Sequence, residues 1–169
     1  MYPPIESLLA ELTMEAAATR RVLDRVPADR PGWRPHPKSL TIGELATHVA
    51  TIPGNIAKLL GSDEVDMAAM KFEGWVVRPA EELPGALDES VSAARAWLSG
   101  LDATSAHATW RAHRGGKELF SAPRLGFVRS LMFNHWYHHR GQLTVYLREL
   151  DIPLPSVYGP TADENPFAA

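Results

Sequence analysis

Apolar residues recur at spacings of three and four along four stretches of the chain. In the first, Ile5, Leu8, Leu12, Ala16, Thr19, Leu23 and Val26 form one stripe, the signature of an amphipathic helix. Pro3 and Pro4 suit its entrance and Pro27 its end, so a helix is expected over about 4–26. Residues 27–39 carry Pro27, Pro31, Gly32, Pro35 and Pro37 and read as a loop. Trp33 needs burial for its ring, which lays this loop against the helices. Thr41-Ile42-Gly43-Glu44 has the form of a capping box, with Leu40 and Leu45 placed as a hydrophobic staple. The helix it opens is expected over about 41–60. A third helix is expected over 84–99, ending before Gly100, and a fourth over 121–150, stopped by Pro153. Gly115-Gly116 marks a short hairpin within 109–120, and residues 153–169 form a Pro-rich tail.

Two connections of about twenty residues separate the later helices. This pattern predicts an all-α domain spanning residues 1–169, a four-helix bundle with long crossover connections. No internal repeat or low-complexity tract interrupts it.

Composition narrows the function classes. Of 169 residues, 45% are hydrophobic and 22% charged, an ordinary globular balance that excludes wholesale disorder. The net charge of −3 argues against a nucleic-acid partner, which calls for a basic face. No run nears the roughly 18 apolar residues of a membrane span. The first residues lack the basic and apolar regions of a signal peptide, so a cytoplasmic protein is expected. Cysteine is absent, which removes disulfides, thiolate zinc sites and cysteine nucleophiles together.

The chemistry lies in the histidines. Of seven, His36, His107 and His113 fall in expected loops and read as solvated. On the fourth helix Leu125, Val128, Met132, His135, His139, Gln142 and Tyr146 share one inward stripe. On the second, His48 sits among Leu45, Ile52 and Leu59. Three imidazoles thus point into one interior. A single buried histidine is most often a satisfied core residue. Three together in a dry core lack enough partners, and a divalent metal would take one lone pair from each. The i, i+4 pair matches the device of zinc-binding helices, and three protein ligands leave open the positions a catalytic centre needs. His138 lies about 100° around the axis from His139 and is expected beside the site, with Asn134 and Gln142 as groups that orient ligands or substrate. Glu44 reads as part of the capping box rather than as a fourth ligand. Gly141 is expected to permit close approach of another backbone.

Ile42-Gly43-Glu44-Leu45-Ala46 ahead of His48, and Asn134-His135-Trp136-Tyr137-His138-His139-Arg140-Gly141-Gln142-Leu143, resemble the DinB/YfiT-like family of small metal-binding bundles. The second stretch matches the pattern N-H-x-x-H-H-R-G-Q. In the turn that follows, Asp151 stands where the family carries Gly. The resemblance implies an up-down-down-up-like bundle, often a homodimer. It also implies zinc, nickel, iron or manganese on His48, His135 and His139. Relatives include bacillithiol-using S-transferases and mycothiol-dependent maleylpyruvate isomerases.

Four functions therefore stand open. The first is a metal-dependent transferase or isomerase that uses a low-molecular-weight thiol on a small-molecule substrate. The others are a metal-dependent hydrolase, a non-catalytic carrier of metal or ligand, and a plain bundle with histidines in its core. No residue is assigned as general base. If histidines are the ligands, metal affinity falls as pH drops below about 6.5.

Overall fold

The computed structural model describes residues 4–70 and 74–168, so Pro3 of the expected helix entrance lies outside it. Helix α1 spans Ile5–Leu23, α2 Ile42–Leu60 and α3 Leu83–Ser99. A short helix α4, Ala103–His107, precedes the hairpin of β2, Thr109–Arg114, and β3, Lys117–Pro123. The hairpin turn is at Gly115 and Gly116, both with positive φ, which glycine adopts without a Cβ penalty. A three-residue strand β1, Glu64–Asp66, pairs in parallel with β2. The fold is mostly helical with a small three-stranded sheet, which corrects the all-α expectation. A strand of three residues carries no periodicity of its own, and its partner lies some forty-five residues away in sequence.

The expected fourth helix exists with two differences. It starts at Arg124, after β3, where α5 covers Arg124–Phe127. A π-helical segment, Val128–Asn134, then leads directly into α6, His135–Glu149. The four long helices bury their stripes on one another, with Leu8, Leu12, Leu45, Ile52, Leu87, Leu98, Trp136 and Leu147 fully enclosed. No helix of the described residues is long and apolar enough to cross a membrane.

Local chemistry explains the helix ends. Thr41 Oγ1 accepts from the Glu44 N–H at 3.2 Å and Glu44 Oε2 accepts from the Thr41 N–H at 2.7 Å. Glu44 is thereby committed to the capping box. The loop before α2 lies against the helices as expected, with Trp33 edge-on to Tyr146 at 5.6 Å. Buried Arg124 ties the end of α2 to the sheet region. It donates to Leu60 O, Ser62 O and Ser105 O and pairs with Asp63 at 2.7 Å.

At the end of α6, the Ile152 N–H reaches Leu147 O and the Asp151 N–H reaches Arg148 O, both at 3.0 Å. This is a Schellman closure, which puts its C′ residue in the left-handed region. Asp151 is that residue, with φ of 57°. Its Cβ makes the conformation costly where glycine would pay nothing. Asp151→Gly is therefore expected to raise unfolding free energy by roughly 0.5–1 kcal/mol, read from urea denaturation; a loss of stability would contradict the reading.

Candidate metal centre

His48 is carried by α2, and His135 and His139 by the first turns of α6. Trp136, fully buried between the two α6 histidines, donates its indole N–H to Val49 O at 2.8 Å. That bond fixes α6 against α2 one residue from His48. The three rings pack edge to face, with centroids 5.1 Å apart for His48–His135, 4.7 Å for His48–His139 and 4.6 Å for His135–His139. One nitrogen from each ring lies within 4.8 Å of the other two.

Hydrogen bonds assign the tautomers. His135 Nδ1 faces Leu131 O at 3.2 Å. A carbonyl only accepts, so Nδ1 carries the proton and Nε2 keeps its lone pair. His139 Nδ1 faces Gln142 Oε1 at 3.0 Å, with the same result. His48 Nε2 stands 3.3 Å from His135 Nε2. Two nitrogens on one tetrahedral ion, each about 2.0–2.1 Å from it, lie about 3.4 Å apart. The His48–His135 separation fits a divalent metal ion, and a proton on Nδ1 leaves Nε2 of His135 and His139 free to bind one.

The rings are half-buried rather than enclosed. On α6 the buried positions are Trp136, Arg140, Leu143, Tyr146 and Leu147. Of the expected stripe, Leu125, Val128, Met132 and Tyr146 are buried, and His135 and His139 between them are half-buried. The site therefore sits at the rim of the core.

Burial still disfavours charge here. Desolvation, then the neighbouring His139 and His135, lowers the His48 pKa to about 4. Burial also holds His135 and His139 below the ordinary histidine range. The three rings stay neutral, and ready to ligate, at pH values where a free histidine is protonated.

The other expected residues separate. Gln142 orients His139, whereas His138 is exposed, its ring 4.9 Å from that of His139. Asn134 is exposed at the end of the π-helical segment. Among the described residues, Gly141 has no neighbour within 4 Å of where a Cβ would sit, so the expected backbone approach is not made by them. His113 is not a loop residue: it lies on β2, 3.8 Å from carboxylates of Glu64 and Asp66 on β1.

Two features escaped the sequence reading. Trp75, from the connection before α3, sets its ring edge-on to His48 at 5.0 Å. A cavity of about 260 Å³ opens there, beside His48. Its only sequence signal was an aromatic residue in a connection rich in Gly and Pro. Behind α6, Glu11 takes a two-point ion pair from Arg129, both bonds 2.7 Å, and a bond from Tyr137. Arg140, its side chain 3% exposed, pairs with Glu15 at 2.6 Å. Glu11 and Glu15, one turn apart beside the apolar stripe of α1, were the available sign. A cavity of about 320 Å³ between α6 and the tail is lined by Arg140, Tyr158 and Pro155 and by none of the histidines.

The family model described as the DinB superfamily matches residues 3–143. The chain belongs to the DinB superfamily. A crystal structure of a DinB-like protein from Bacillus cereus ATCC 10987 is 27% identical, with a TM-score of 0.70 over 94% of this chain and 100% of that one. The DinB-like protein YjoA from Bacillus subtilis shares the fold at 18% identity, with a TM-score of 0.67 over 89% of this chain and 97% of that one. The uncharacterized protein YrdA of Bacillus subtilis (strain 168) is 25% identical over 97% of this chain and 93% of its own length. The family model and the two crystal structures carry the DinB name.

The lowered histidine pKa values tie stability to pH. The unfolded rings take up protons below about pH 6.5, while the folded rings resist until a lower pH. Their contribution is therefore complete above pH 6.5 and is lost as pH falls toward about 4, the His48 value. In chelator, unfolding midpoints should decline from pH 6.5 to pH 5. His48→Ala should flatten that decline, and an unchanged slope would contradict the assignment.

Proposed function

We propose that His48, His135 and His139 hold one divalent metal ion, and that the protein is a metal-dependent enzyme using a low-molecular-weight thiol to transform a small electrophile. The observation that carries the reading is the convergence of three ring nitrogens within 4.8 Å, two of them with Nδ1 already committed to Leu131 O and Gln142 Oε1. A bound divalent ion supplies a Lewis-acid centre that lowers the pKa of a thiol or water. The protein's part is to position and to exclude. Leu131 O and Gln142 keep the rings in one tautomer, and Trp136 keeps α6 against α2. Trp75 sets its ring edge-on against His48. With no cysteine in the chain, the thiol must come from solution.

Zinc, nickel, iron and manganese all suit such a donor set, and affinity alone does not choose among them. We further read residues 1–169 as one domain on an up-down-down-up-like four-helix frame, and the protein as a cytoplasmic bacterial homodimer. The family resemblance supports that reading.

The test is turnover of monobromobimane or chlorodinitrobenzene by metal-loaded protein with and without added thiol. Thiol-dependent turnover abolished in His139→Ala is the expected result. Turnover without thiol would mark a hydrolase, and ligand binding without turnover a carrier. Gln142→Ala should weaken metal affinity about 10–100-fold by freeing the His139 ring; unchanged affinity would remove Gln142 from the site.

A further inference from the structure

The cavity beside His48 is built from two pieces of chain. One is a row on α2, Thr47, Thr51 and Asn55, which repeats every fourth residue and so lies on one face. The other is the irregular segment 74–79. Two contacts pin that segment. The Arg78 backbone N–H donates to Thr47 Oγ1 at 2.9 Å. Val77 lies against Gly43, where an added Cβ would come within 2.8 Å of Val77 Cγ1. The glycine at 43 is what lets the segment cross so close to α2.

Across this cavity the chemistry is graded. His48 and Trp75 line one part, and Arg78 lines another, being shared with a neighbouring cavity bordered by Gly43 and Glu81. The Arg78 guanidinium approaches Glu82 at 3.7 Å, with the two side chains 41% and 55% exposed. An exposed pair of this kind contributes little, so a carboxylate entering the cavity competes with it readily. A carboxylate matches the guanidinium's planar fork with two parallel bonds. At about 260 Å³ the space is smaller than the roughly 300–1,000 Å³ of drug-sized sites, and suits a molecule of few atoms.

We propose that this cavity is the substrate subsite and that Arg78 selects ligands bearing a carboxylate, whose other end reaches the three histidines. Trp75 stacks on the ligand's apolar middle, and Thr47, Thr51 and Asn55 form its polar wall. The inference deepens the metal-site reading and rests on it. Arg78 is a specificity residue here and takes no part in holding the metal.

Isothermal titration of zinc-loaded protein tests it with two thiols of similar size, 3-mercaptopropionate and 2-mercaptoethanol. The carboxylate-bearing thiol should bind about tenfold tighter or better. Arg78→Gln should erase that preference while leaving zinc content and 2-mercaptoethanol affinity unchanged, because the backbone N–H that pins the segment remains. Glu82→Gln, which removes the competing carboxylate, should preserve or increase the preference. Zinc uptake with equal affinity for the two thiols, or a preference that survives Arg78→Gln, overturns the inference alone. Failure to take up zinc overturns the metal-site reading and this one with it.

Discussion

Lone pairs facing one another in a half-buried recess are the constraint on which the rest of the structure depends. With Nδ1 of His135 and His139 bonded to oxygen acceptors, both rings turn Nε2 inward, toward His48. Burial makes protonation an expensive way to relieve the crowding, as the depressed His48 pKa records. A cation with open coordination positions satisfies all three rings at once.

Such a recess is useful only if the helices that form it do not move apart. The Trp136 indole holds α6 to α2 from within the core. On the far side of α6 a polar seam holds it to α1. Arg129 and Tyr137 converge on Glu11, and the Arg129 bond keeps that carboxyl below its ordinary pKa. Arg140 meets Glu15 and Thr19, and its guanidinium lies over the Tyr137 and Tyr158 rings. The tail is part of this seam, since the Tyr158 hydroxyl donates to Glu15 at 2.8 Å. Buried ion pairs of this kind cost desolvation and contribute little net stability. Their geometry gives α6 a unique register against α1, and so a unique placement of His135 and His139.

What was legible in the sequence was local. The capping box at Thr41 and Glu44 and the glycine turn at 115–116 each follow from residues close in the chain. The histidine spacing was legible because i, i+4 neighbours share a helix face whatever surrounds them. What was not legible depends on distant partners. Strand β1 exists only because β2 lies beside it. His135 and His139, expected in a dry interior, stand at its rim although Val128, Met132 and Tyr146 of the same stripe are buried. Trp75 reaches His48 only because Gly43 admits Val77, a contact no spacing rule encodes. Gly141 shows the reverse error: a glycine in a helix invited a packing explanation, and none of the described residues packs there.

The central claim is a single ion held by His48, His135 and His139, and metal content per chain measured by mass spectrometry on untagged protein tests it most directly. The account predicts one divalent ion per chain, lost in His48→Ala and His139→Ala and retained in His138→Ala. A content near zero that stays there after exposure to zinc, nickel and manganese would contradict it, as would loss of metal in His138→Ala with retention in His139→Ala.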